Sequence, residues 1–173
     1  MAVKTLEDLF IHELSDIYSA EKQMTKALPR LAKAAENPDL EAAFTAHLEE
    51  TEGQVERIDK VVELLDIKLK RMKCAAMEGL VEESKEVIEE VEKGPVRDAA
   101  LIGGAQKAEH YEIASYGTIC ELGRQLGYTE AVKLLEETLA EEKATDEKLT
   151  LLAESGANAQ AAKSSKSAKT AKA

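Results

Sequence analysis

Four long stretches of this chain place an apolar residue at every third or fourth position, and almost nothing interrupts them. That is the period of an amphipathic α-helix, whose apolar stripe must be buried against a neighbour. The interruptions are few: three prolines and nine glycines in 173 residues. A β-sandwich or barrel needs a turn every ~8–12 residues and many aromatic or β-branched positions. With aromatics at 3% and no Trp, that class is disfavoured and an all-α fold is expected.

The first segment runs from about Thr5 to Glu36 and carries Leu6, Leu9, Phe10, Leu14, Ile17, Met24, Leu28 and Leu31. Thr5 and Asp8 are spaced as a capping box. Pro29 predicts a kink rather than a stop, because the pattern resumes at Leu31. Asn37-Pro38-Asp39 breaks the chain and offers a cap to the second segment, about Leu40–Asp66, with Leu40, Phe44, His47, Thr51, Val55, Ile58, Val62 and Leu65. A break this short forces a helical hairpin. Residues 67–77 are irregular and basic, a shorter helix follows over about Glu78–Glu92, and Gly94-Pro95 ends it. The third long helix spans about Val96–Leu126, turns at Gly127-Tyr128-Thr129, and the fourth spans about Glu130–Glu154. Two hairpins joined by a connection with its own short helix predict a ferritin-like (rubrerythrin-like) antiparallel four-helix bundle with a long crossover.

The hairpins also resemble each other. Ala20-Glu21 recurs as Ala108-Glu109, and Leu48-Glu49-Glu50-Thr51 as Leu135-Glu136-Glu137-Thr138, at offsets of 88 and 87. The expected domain is residues 1–154. Residues 155–173, rich in Ala, Ser and Lys, have no large apolar residue and are expected to be disordered.

Charge narrows the partners. The chain carries 23 basic and 34 acidic residues, a net −11; four lysines and no acid lie in 155–173, so 1–154 holds 19 bases against 34 acids, or −15. An acidic body repels nucleic acid and anionic lipid and suits cations. Binding of nucleic acid is limited to a weak, salt-sensitive contact through the lysine tail. No stretch approaches the ~20 apolar residues of a membrane span. The N-terminus has acids where a leader would have its apolar run, so a cytoplasmic location is expected. Cys74 and Cys120, 46 residues apart, read as reduced, partly buried thiols.

The informative residues are carboxylates on the apolar stripe, since a buried charge must be paired or bound to metal. Glu21 fills the interval between Ile17 and Met24. Glu109 and Glu112 continue Ile102 and Ala105 toward Tyr116, and Glu142 and Asp146 lie between Leu139 and Leu149. His47 sits between Phe44 and Thr51, with Glu50 three residues on. Counting from the hairpin ends sets Glu21 near the level of Glu50, and Glu109 and Glu112 near that of Glu142 and Asp146, with Glu137 about one turn too early. The candidate ligands are therefore Glu21, His47, Glu50, Glu109, Glu112, Glu142 and Asp146. Tyr18 and Tyr116, one turn away, are placed either to orient carboxylates or simply to pack. Glu141 points in the neighbouring, exposed direction. Carboxylate-rich sites with an imidazole suit iron first, then manganese, rather than zinc. The di-metal bundle pattern takes one Glu from each of two helices and Glu-x-x-His from each of the other two. Here His47-x-x-Glu50 runs in reverse, and the fourth helix has no His.

Ser15-Asp16-Ile17-Tyr18-Ser19-Ala20-Glu21-Lys22-Gln23, His47-Leu48-Glu49-Glu50-Thr51, Ala108-Glu109-His110-Tyr111-Glu112-Ile113-Ala114-Ser115-Tyr116-Gly117 and Leu139-Ala140-Glu141-Glu142-Lys143 resemble the YciE/YciF-type stress-induced proteins over about residues 3–154. The resemblance implies the ferritin-like superfamily, a comparison with rubrerythrin and a role in bacterial stress responses. It implies fold and metal class rather than a particular reaction.

The expected function is a stress-response protein with two metal ions, iron or manganese, in the bundle core, acting on peroxide or dioxygen with an external reductant. The competing reading is a non-catalytic structural or metal-sequestering homodimer with a vestigial site. A symmetric dimer is expected in either case, through apolar positions on the crossover such as Val81, Ile88 and Val91.

Overall fold

The computed structural model of the protein describes residues 3–170 and contains, among them, helices and no strand. Helix α1 (Leu6–Ala34) opens on the Thr5–Asp8 capping box: Asp8 N donates to Thr5 Oγ1 at 3.0 Å and Thr5 N to Asp8 Oδ2 at 3.1 Å. It continues through Pro29 without ending. Asn37 caps α2 (Pro38–Leu65), its Oδ1 accepting from Asp39 N at 2.8 Å. The turn between them is also held from outside. Buried Asp98 accepts from Glu36 N at 2.8 Å and Asn37 N at 3.0 Å, so α4 caps the α1–α2 corner.

Helix α3 (Ala75–Glu90) starts three residues earlier than the sequence predicts, because the Cys74 thiol serves as its cap, accepting from Met77 N at 3.4 Å. The irregular stretch before it is fastened along α1. Ser15 Oγ accepts from Lys70 N and Ser19 Oγ from Cys74 N, both at 2.9 Å, and Gln23 Nε2 donates to Cys74 O at 3.0 Å. These three side chains are four residues apart, hence on one face of α1.

Helix α4 (Pro95–Gln125) and helix α5 (Thr129–Leu152) are joined by a turn in which Gly127 takes φ +75°, a left-handed conformation that glycine adopts without steric cost. They approach closely at Gly123, where an added Cβ would lie 2.7 Å from Val132 Cγ2. Helices α1 and α2 pack together, as do α4 and α5; α1 also meets α4 and α2 meets α5, so the four long helices enclose one core. α3 lies against α1 and α4.

The buried stripes are more regular than hydrophobicity alone indicates. Alternating steps of three and four give 10-14-17-21-24-28-31 in α1, 40-44-47-51-54-58-61 in α2, 98-102-105-109-112-116-119-123 in α4 and 135-138-142-145-149 in α5. In α5 the register runs through Thr138 and Thr145 rather than Leu139 and Asp146.

The chain kinks at Gly156, whose backbone is non-helical (φ 178°), and continues as α6 (Asn158–Thr170), which packs against α4. Ala157 is buried and seals the end of the core, although it is too small to register as an apolar anchor in sequence. Residues 171–173 lie outside the described residues.

Candidate metal centre

Each long helix delivers one or two ionisable side chains to the same level of the core: Glu21 from α1, His47 from α2, Glu109 and Glu112 from α4, Glu142 from α5. All five are buried. They occupy stripe positions that elsewhere hold Leu, Ile or Phe, so backbone register rather than side-chain flexibility brings them inside. One donor atom from each of His47, Glu109, Glu112 and Glu142 lies within 4.8 Å of all the others.

Their polar atoms have almost no protein partners. Of nine buried side-chain N and O atoms without a hydrogen bond among the described residues, eight belong to Glu21, His47, Glu109, Glu112 and Glu142. The ninth, Gln54 Oε1, belongs to a neighbour of the cluster's α5 flank. His47 Nε2 is 3.1 Å from Glu109 Oε1, and Nδ1 is 3.5 Å from Glu50 Oε2, but neither N–H is aligned on its neighbour. Buried polar atoms are ordinarily paired, and an unpaired one costs about 1–3 kcal/mol. Donors around an ion with ~2.1 Å bonds sit about 3–4 Å apart. Three carboxylates and an imidazole gathered this closely could hold a metal ion.

Without a cation the charges compensate through protons. Burial pushes the Glu21 carboxyl up to about 7, against a donated hydrogen bond from Tyr116 and the nearby His47 charge. Burial, followed by repulsion among the carboxylates, pushes Glu112 and Glu142 well above the usual carboxylate range. Burial pulls His47 down, but its contacts with Glu109 and Glu50 and the surrounding negative charge outweigh it, giving about 10.

The remaining candidates lie outside this group. Glu50 is half-exposed; contact with His47 lowers it first, and Thr145 Oγ1 donates to it at 3.4 Å. Asp146 is turned off the α5 stripe, accepts from Gln106 Nε2 at 3.2 Å and lies 3.4 Å from exposed His110 Nε2. Both are one residue away from a buried stripe position, Thr51 and Thr145 respectively. Of the two tyrosines, Tyr116 contacts a carboxylate of the group, donating to Glu21 Oε1 at 2.5 Å, whereas Tyr18 faces Asp59. Glu141, expected to be an exposed bystander, is corrected. It forms a bidentate pair with Arg57 (2.8 and 2.9 Å) and accepts from Gln54 Nε2 at 3.1 Å, while Arg57 Nη1 also donates to Thr138 at 2.7 Å. Sequence reasoning missed Arg57; its signal is that α2 holds only two cations, Arg57 and Lys60. It also missed Tyr111, whose phenol donates to Asp16 and lies 3.0 Å from Cys74 Sγ.

A cavity of about 90 Å³ reaches His47 and Glu109. Met24, Leu28, Phe44 and Leu149 supply apolar walls, and Glu50 and Lys148 also line it. It has room for a few water-sized molecules and no more.

A helical bundle with a buried carboxylate–imidazole cluster is the class that fold and site define. Within that class, the chain belongs to the family described as "Domain of unknown function (DUF892)", which matches residues 5–162. It is 65% identical to Protein YciF of Escherichia coli (strain K12) over 162 residues, 93% of this chain and 98% of that protein. The crystal structure of that E. coli stress protein superposes with a TM-score of 0.87 at 67% identity, covering 90% of this chain and 98% of that one. YcfI from Rhodopseudomonas palustris gives a TM-score of 0.83 at 45% identity, covering 86% and 94%. A dodecameric thioferritin from Bacteroides fragilis gives 0.65 at 16% identity, covering 95% and 92%, a likeness of fold alone.

Proposed function

We propose that this chain is a ferritin-like metal-binding protein of the bacterial stress response, built as an antiparallel four-helix bundle with a long crossover. His47, Glu109, Glu112 and Glu142 hold the first ion, iron or manganese. Glu21 would hold a second ion. Glu50 and Asp146 act from the rim. The observation that carries this reading is the concentration of unpartnered buried donor atoms at one level of all four long helices. Bound metal of this kind supplies Lewis acidity and electrons for reduction of peroxide or dioxygen. The small cavity at His47 supports substrates of that size.

The reductant comes from outside the chain. The stress role carried by the E. coli relative supports the same role here. The free cysteines, both buried, support action in the reducing cytoplasm. No described helix is long and apolar enough to cross a membrane. The part-exposed Val81 and Val91 on the crossover support a homodimer. The test is anaerobic loading with Fe(II) or Mn(II), metal analysis of the desalted protein, then addition of hydrogen peroxide. Metal retained at one or two ions per chain, with peroxide consumed when reductant is present, is the expected result. Retained metal with no peroxide consumption leaves sequestration as the function.

A further inference from the structure

The chain has 34 acids for 23 bases, so the cheapest fate of an arginine or lysine is a carboxylate partner. One groove gathers cations instead. Arg30 and Lys33 of α1, Lys85 of α3 and Arg97 of α4 line an open cavity of about 440 Å³, with Glu89 the single carboxylate in the lining. Among the described residues, Arg30, Lys33 and Arg97 have no carboxylate within ion-pair distance; Lys85 pairs with Glu82, on its own helix. Four cations from three helices thus converge where the local sequence offers glutamates in abundance.

Arg97 is also held in place. Its Nε donates to the Val91 carbonyl at 2.7 Å, and it is half-buried. Pinning Nε fixes the guanidinium plane and leaves the two Nη groups as a fork, the geometry that matches two oxygens of a phosphate or carboxylate. Ala34 and Ile88 give the groove an apolar side. Its volume lies within the ~300–1,000 Å³ typical of small-molecule sites. On α1, Arg30 and Lys33 lie nine and twelve residues beyond Glu21, about 13–18 Å along the helix, so the groove is separate from the carboxylate cluster.

We propose that this groove binds the phosphate group of a small soluble molecule, with Arg97 as the bidentate anchor, Arg30 and Lys33 completing charge neutralisation, and Ile88 packing against the rest of the ligand. The proposal needs no metal in the bundle core.

The experiment is calorimetric titration of the full-length, chelator-treated protein with inorganic phosphate and with adenosine 5′-monophosphate. Treatment removes iron, which would itself take phosphate. The expected result is saturable one-to-one binding, with a Kd of about 1 mM or below for the nucleotide and weaker binding of phosphate alone. Arg97→Gln should weaken it by about tenfold or more. Arg97→Lys, which keeps the charge and loses the fork, should fall between. Arg30→Gln with Lys33→Gln, both on an exposed face and without cost to folding, should weaken binding and flatten its salt dependence. Lys60→Gln on α2 should bind as the parent does. Non-saturable binding, equal binding by all variants, or no binding by either probe at about 10 mM overturns the proposal.

Discussion

Tyr116 on α4 donates its phenolic hydrogen to Glu21 Oε1 on α1 at 2.5 Å, with both side chains fully buried. Among the described residues it is the one hydrogen bond to a carboxylate of the buried group, and it leaves Glu21 Oε2 without a partner. Replacing Tyr116 with Phe keeps the ring and strands a buried oxygen. Metal-free protein should lose about 1–3 kcal/mol in urea unfolding. An unchanged midpoint would show that the hydroxyl contributes nothing.

Metal-free stability should fall as pH rises. Glu21 has a folded value of about 7 against an ordinary 4.5, so the folded chain holds its proton after the unfolded chain has released it. The folded state then binds more protons, and the stabilising contribution, complete below about 4.5, is lost through about 7. Glu112 and Glu142 act in the same direction and extend the fall upward. His47, raised from 6.5 to about 10, adds the same sign between those values. Metal must displace these protons, so the gain in Tm on loading should grow over the same range. Chelated protein that melts higher at about pH 8 than at about pH 5 would contradict the linkage.

The expectation that four amphipathic segments make an all-helical chain held because burial follows the three-and-four period wherever large apolar residues mark it, as Phe10, Leu14 and Ile17 do. It slipped where the stripe is made of threonine. Thr138 and Thr145 are buried while their apolar or acidic neighbours Leu139 and Asp146 are turned aside, a register invisible to a count of hydrophobic residues. Ala157 is likewise buried with no large side chain to announce it. Arg57 escaped notice because its role lies in a pairing between helices, which one segment read alone does not reveal.

Arg57 should matter to the α2–α5 contact. Its bidentate pair with Glu141 and its bond to Thr138 join the two helices beside the cluster. Arg57→Ala should cost about 1–3 kcal/mol, and Arg57→Lys should recover only part of it, because an ammonium cannot reproduce the fork. Thermal melts of the two variants decide this; full recovery by Lys would reduce the contact to simple charge pairing.

Asp98 should be among the most sensitive residues away from the cluster. It satisfies two backbone donors at the α1–α2 corner from a third helix. Asp98→Ala leaves both amides unpaired and should lower stability by about 2 kcal/mol or more, while Asp98→Asn, retaining one acceptor, should lose less. Unfolding curves for the pair test this; equal losses would contradict the two-acceptor account.

The central claim is that the buried group holds metal, and Glu142 tests it most directly. Glu142→Gln keeps the side chain's shape and removes one anionic donor; Glu147→Gln changes an exposed acid on the same helix. The measurement is anaerobic Fe(II) titration of metal-free wild type and both variants, read by calorimetry and melting curves. Wild type and Glu147→Gln should bind and melt higher on loading by mass action, and Glu142→Gln should bind at least about tenfold more weakly. Equal uptake by Glu142→Gln and wild type would contradict the account.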